Sequence, residues 1–199
     1  MRSNADKYVV SLEEGIPEEL LGDQQIVLWG YEPRGEGKKL AKPPLGLDGR
    51  HISPTDPNDW FGYEPARDAY LAESSTTFQG IGRVISPTDP YVGIDLDACH
   101  DPKTGLVTPW AQSIIEALNS YTEMSPSGSG LHIWVKARLC GFVGRRAEIE
   151  DGAIEIYDGA RYFTLTGQHL TGTPTTVESI QEQLEQIHSA HFPRRVPPV

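Results

Sequence analysis

Two cysteines, Cys99 and Cys140, are all that the 199 residues contain. They are too few for a disulfide framework or a four-cysteine zinc site. Each reads as a free thiol, which suits a reducing compartment, so the expected location is the cytoplasm. Neither Cys99-His100 nor Cys140 supplies the ligand spacing of a zinc knuckle. Nowhere does the chain approach the ~20 consecutive apolar residues that a membrane-spanning helix needs. Its start, MRSNADKYVV, lacks the apolar centre of a signal peptide. Positive charge is also short: 17 Lys and Arg stand against 28 Asp and Glu, a net charge of −11. That balance argues against binding nucleic acid through bulk charge. Apolar residues, at 38%, are still enough for a packed core, and the length suits one domain with at most a small appendage.

Local charge departs from the total. Arg34, Lys38, Lys39, Lys42 and Arg50 meet only Glu36 and Asp48, and residues 136–146 hold Lys136, Arg138, Arg145 and Arg146 with no acid. Either island, read alone, is as compatible with a solvated loop as with a contact to a polyanion.

The first 24 residues mix acids with Pro17 and Gly22 and are expected to form a short helix or an arm. Residues 25–31, QIVLWGY, are short and β-rich and precede the Gly- and Lys-rich PRGEGKK, so they read as a buried strand. A long loop to about Asp59 should follow. The spacing of Phe61, Ala66, Ala69, Tyr70 and Ala72 predicts a short amphipathic helix. Residues 80–85 and 91–97 read as a hairpin joined by SPTDP, a pentapeptide that recurs at 53–57 in unrelated surroundings. A helix from Thr108 or Pro109 to about Asn119 places Trp110, Ile114, Ile115 and Leu118 on one face. Residues 122–125 and 131–137 read as extended on either side of SPSGSG, and 153–157 with 162–166 as a second hairpin. In 176–188, Val177, Ile180, Leu184 and Ile187 have helical spacing, and FPRRVPPV then reads as the start of a linker. Antiparallel strands with a few helices give an α+β fold on one central sheet.

Three elements can carry chemistry. In YVGIDLD, Val92, Ile94 and Leu96 point to one face and Asp95 and Asp97 to the other, because side chains alternate along a strand. Neighbouring carboxylates repel unless a cation or donors offset them, and oxygen ligands suit Mg²⁺ or Mn²⁺. Taken alone, Asp-x-Asp is as readily a surface turn. The second element is SPSGSGLH, where Gly128 and Gly130 permit positive φ and close backbone approach and Ser127 adds a hydroxyl. It opens into a strand that puts His132 on a face with Trp134 and Lys136. A plain turn and a structural histidine are the alternative. In the third, AIEIYDGARYFTLTG, Glu155 faces away from Ile154 and Ile156, and Arg161 leads the next strand. Glu155 can complete a metal site and Arg161 can pair with phosphate, or the two can form a cross-strand ion pair of little consequence.

In this order the elements resemble the archaeo-eukaryotic primase superfamily, specifically the bifunctional primase-polymerase domains at the N-terminus of phage and plasmid replication proteins. VGIDLD is similar to the family's metal-binding Asp pair, SPSGSGLHIWVK to its second motif with Ser and His, and IEIYDGARYFT to its third. The likeness runs from Trp29 through Lys42-Pro43 and GIGRVIS to TLTG and the last helix, about residues 25–188. It implies an RRM-like antiparallel sheet core joined to an N-terminal αβ unit, with the active site in the cleft between. Residues 1–24 are then an arm or short helix and 189–199 a linker-like tail.

The resemblance implies a DNA primase-polymerase, transferring nucleotides from a dNTP or NTP to a 3′-hydroxyl on a single-stranded DNA template in phage or plasmid replication. Asp95, Asp97 and Glu155 would hold two Mg²⁺ or Mn²⁺ ions. Ser127, Gly128, His132 and Arg161 would bind the triphosphate, and Tyr162 would pack against the sugar. Lys38, Lys39, Lys42, Arg145 and Arg146 are the candidate DNA contacts. Relatives carry a helical accessory domain and a helicase beyond this domain, so an excised or stand-alone catalytic domain is expected. Two other classes compete: a divalent-metal nuclease, and a non-catalytic RRM-type module with Trp134, Tyr157 or Tyr162 stacking on bases.

Overall fold

Strands in the computed structural model of the protein follow the β-branched and aromatic runs of the sequence, and residues 4–37, 40–72, 77–140 and 145–192 are described. In chain order the elements are α1 (Asn4–Gly15), β1 (Ile26–Trp29), β2 (Pro44–Leu45), α2 (Tyr63–Ala72), β3 (Gly80–Ile85) and β4 (Tyr91–Asp97). There follow α3 (Pro109–Leu118), β5 (Thr122–Met124), β6 (Leu131–Lys136), β7 (Arg146–Ile149), β8 (Gly152–Tyr157), β9 (Arg161–Leu165), β10 (Glu178–Ser179) and α4 (Gln181–His191). They divide between two units, Met1–Pro87 with Gly159–Gln168, and Thr88–Asp158 with His169–Val199.

The first unit is a four-stranded antiparallel sheet in the order β2-β1-β3-β9. Its register sets Leu28 between Leu45 and Ile81, and Ile81 against Leu165, all buried. Helix α2 packs on β1 and β3, and α1 on α2. Strand β3 carries a fully buried arginine. The Arg83 guanidinium donates to the Leu20 carbonyl (3.0 Å), to Asp23 Oδ2 (2.8 Å) and to Gln25 Oε1 (2.9 Å), so its charge has a carboxylate partner and both terminal nitrogens have acceptors inside the unit.

The second unit holds a sheet in the order β10-β6-β4-β8-β7, with β5 also on β6; only the β10–β6 pair is parallel. One face is the core, built from Ile94 and Leu96, Leu131 and Ile133, and Ile154 and Ile156, and covered by Ile114, Ile115 and Leu118 of α3 and Leu184 of α4. The other face carries the polar side chains Asp95, His132 and Glu155 together with the buried aromatics Tyr91 and Trp134. Period-2 alternation in β4 and β8 is what sorts the residues between the two faces.

The α+β class with antiparallel pairing is as expected, but the single central sheet and both supposed bridging hairpins are not. Strands β3 and β4 lie in different sheets, as do β8 and β9. The reason is edge occupancy: β3 pairs with β1 and β9, whereas β4 pairs with β6 and β8, leaving neither an edge for the other. Turn residues such as SPTDP reverse the chain equally well when it crosses to another sheet. The loop expected up to Asp59 contains β2. The final helix starts later than its apolar spacing suggests, because the Glu178 N–H donates to Ser120 Oγ (2.9 Å) and the Ile180 N–H to the Lys136 carbonyl (3.2 Å), drawing these residues onto β6.

Candidate active site

Pairing register gathers the site. Asp95 lies opposite His132 on one side and Glu155 on the other; His132 lies opposite Glu123, and Glu155 opposite Arg146. Five strands thus present one lateral row, Glu123, His132, Asp95, Glu155, Arg146, on the face turned away from α3 and α4. Along the row side-chain exposure is 45% at Arg146, 12% at Glu155, 29% at Asp95, 6% at His132 and 0% at Glu123. The row therefore runs from solvent into the protein.

The contacts along it are electrostatic. His132 Nε2 stands 3.8 Å from Asp95 Oδ1 and Nδ1 3.7 Å from Glu123 Oε1, within ion-pair range and longer than a hydrogen bond. The Tyr121 hydroxyl donates to Glu123 Oε2 (3.1 Å), and the Tyr157 hydroxyl to Glu155 Oε2 (2.8 Å). Burial, then the Glu123 charge, pushes the Tyr121 hydroxyl far above its ordinary range, so it stays a donor. Arg146 Nη1 donates to Glu155 Oε1 (2.7 Å) and reaches Asp97 Oδ2 (3.5 Å), while Nη2 donates to Glu148 Oε1 (2.9 Å). The Glu155 bond leads the causes that raise the basicity of this arginine. Among the described residues no three His, Cys, Asp or Glu side chains converge closely enough to hold a metal ion as they stand.

The Ser/Gly loop sits at the end of β4. The Cys99 and His100 N–H groups donate to the Ser129 carbonyl (2.9 and 3.1 Å), and His100 Nδ1 donates to the Gly128 carbonyl (2.5 Å). Gly128 adopts φ +72°, and a Cβ on Gly130 would lie 2.7 Å from the Leu96 carbonyl, so both positions exclude ordinary side chains. The Gly128 N–H is used on the Ser125 carbonyl and the Ser129 N–H on Ser127 Oγ. Of the loop's hydroxyls Ser127 is the exposed one, in a Ser125, Ser127, Ser129 chain spaced at 3.0 Å.

Arg161 and Tyr162 belong to the first unit, on β9. The Tyr162 ring occupies the place that a side chain on Gly82 would need, 2.7 Å from that position, and its hydroxyl donates to the Lys42 carbonyl. Burial raises its pKa well beyond that of free tyrosine. Lys42 is half-buried, and Lys38 and Lys39 lie outside the described residues. Arg145 pairs with Asp158 (3.2 Å). Glu123 and Tyr121 were not marked by the sequence, and Tyr157 only as a candidate for stacking on bases. The available signal was a lone acid alternating with Tyr121 just ahead of the Ser/Gly loop.

Cys99 is buried beneath this region. Burial and the charges of Asp95 and Asp97 push its thiol up to about 12, whereas Cys140 is exposed. Since the thiolate is the nucleophile, iodoacetamide at pH 8 should label Cys140 and leave Cys99 unmodified in the folded protein. Peptide mass mapping reads the result, and equal labelling would contradict the packing described.

No family model matches the chain. Residues of the chain are 35% identical over 126 positions to a DNA primase-polymerase of Nitratiruptor phage NrS-1, a match that takes in 63% of this chain and 17% of the phage protein. The chain therefore spans under a fifth of that relative's length. By sequence the chain is a homologue of a phage DNA primase-polymerase, in agreement with the primase superfamily to which its Asp-x-Asp, Ser/Gly-His and Glu/Arg-Tyr-Phe motifs point.

Proposed function

We propose that the Asp95 row is a template-directed nucleotidyl-transfer site, the centre of a DNA primase-polymerase. The observation that carries this reading is the register that sets His132, Asp95 and Glu155, each from a different motif, side by side on one sheet face. The phage homologue supports it from a separate direction. On this reading the sheet of the second unit is the RRM-like core, the first unit supplies the N-terminal αβ part, and a helicase or helical accessory domain is a partner. No helix among the described residues is long and apolar enough to cross a membrane.

The site suits divalent cations. Its donors are carboxylate oxygens, hard ligands that match Mg²⁺ or Mn²⁺, and a guanidinium already stands between Asp97 and Glu155 as a positive charge. Asp95, Asp97 and Glu155 would hold the ions, which when bound lower the pKa of the attacking 3′-hydroxyl and offset the charge of the leaving pyrophosphate. His132, beside Asp95, and Ser127, on the exposed loop, donate to the triphosphate. Glu123, itself held by the Tyr121 hydroxyl, backs the imidazole. Arg161, whose planar fork suits phosphate, and Tyr162, the candidate for packing on the sugar, are carried by β9 of the first unit. Lys42 and Arg145, with Lys38 and Lys39, are template contacts in segments whose charge opposes the net −11 of the chain.

A labelled primer annealed to single-stranded template, incubated with the protein, Mn²⁺ and either dNTPs or NTPs, tests this. Longer products are expected. Shortened primer would mean a nuclease, and binding with neither change a recognition module; either outcome overturns the proposal.

A further inference from the structure

Arg146 is the one cation in the row whose guanidinium bonds the proposed metal ligands directly. It rises from β7, which pairs with β8 alone, and its fork divides between two sets of carboxylates: Nη1 on Glu155 and Asp97, Nη2 on Glu148 two residues along the same strand. Like charges gathered on one face repel, and here Arg146 supplies the opposite charge that lets Asp97 and Glu155 approach a common point. A divalent ion bound by those same oxygens needs the lone pairs that Nη1 engages. The two cations therefore compete, and the arginine has an anchor on Glu148 when it withdraws.

We propose that Arg146 is the resident counter-cation of this site, holding Asp97 and Glu155 in position until a divalent ion displaces its guanidinium. The proposal rests on the reading that Asp95, Asp97 and Glu155 bind the ion. It predicts that the chain without this arginine binds metal more tightly, the reverse of what a residue that builds the site would do.

Mn²⁺ titration of the whole chain, followed by the electron paramagnetic resonance signal of the free ion, reads affinity without any reaction. Arg146→Gln should lower the Mn²⁺ Kd about two- to fivefold, the equivalent of one partly exposed ion pair. It should also lower the melting temperature of the metal-free protein and enlarge the stabilisation that Mn²⁺ gives. An unchanged or raised Kd overturns the proposal. Arg146→Lys keeps the charge but loses the fork, and should tighten binding by less; if the Gln variant does not fold, an unchanged or weaker Kd in the Lys variant decides against the proposal. Asp95→Asn separates the two readings. Loss of Mn²⁺ binding there, with Arg146→Gln equal to the unsubstituted chain, means the metal site stands and the counter-cation fails. Binding that survives Asp95→Asn, or no binding by any of these chains, overturns both.

Discussion

Asp95→Ala and Asp97→Ala should each cut primer extension by about 1,000-fold or more while leaving the fold intact. The size follows from the several kcal/mol of charge stabilisation that a bound metal contributes, at about 1.36 kcal/mol per factor of ten. The intact fold follows from the register. Strand β4 is held on both edges by backbone pairing with β6 and β8, and its core side chains are Val92, Ile94 and Leu96, so neither carboxylate is needed for packing. Asp95 stands between Glu155 and the His132–Glu123 pair, and removing one negative charge from such a face relieves repulsion. For Asp95→Ala a melting temperature equal to or above that of the unsubstituted chain should accompany the lost extension, whereas Asp97→Ala, which gives up its exposed contact with Arg146, should melt slightly lower. Full extension by either variant, or extension in excess chelator, would refute the assignment of these carboxylates.

The largest stability effect is expected at Arg83, in the other unit. Arg83→Ala strands two buried acceptors, the Leu20 carbonyl and Gln25 Oε1, each costing about 1–3 kcal/mol. It also empties the volume of a side chain with no exposed surface, which adds a cavity cost. A loss of about 3 kcal/mol or more should appear as a lower urea midpoint. Asp23 keeps 57% of its side chain in solvent and Asn keeps an acceptor there, so Asp23→Asn should cost less than Arg83→Ala, about 1–2 kcal/mol, although it removes a negative charge from the same buried guanidinium. Equal losses in the two variants would show that the ion pair, rather than the buried acceptors, carries the stability.

The sequence made the local parts of this architecture legible. β4 spans the residues its alternation marks, α3 begins at Pro109 as its missing N–H allows, and the faces of Asp95, Asp97, His132 and Glu155 follow from period two. Partnership between strands was not legible, because it depends on which edges remain vacant after all the others have paired. SPTDP and Asp158-Gly159 carry turn chemistry that is indifferent to whether the chain folds back or passes to another sheet. The same limit hid the two ends of the row. Glu123 is an acid in a three-residue strand, and only the Glu123–His132 register reveals that it backs the imidazole. Arg146 looked like one of a basic pair in a loop, yet residues 146 and 155 face each other only because β7 adds to the free edge of β8.

That placement gives the row unequal stiffness along its length. Asp95 rides on a strand clamped from both sides, whereas Arg146 rides on a rim strand with one neighbour, where the backbone opens at the lowest free energy. The carboxylates at the centre therefore behave as a fixed frame and the arginine at the rim as a compliant one. Any rearrangement that accommodates a ligand is absorbed at β7, and β4 can keep its hydrogen bonds throughout.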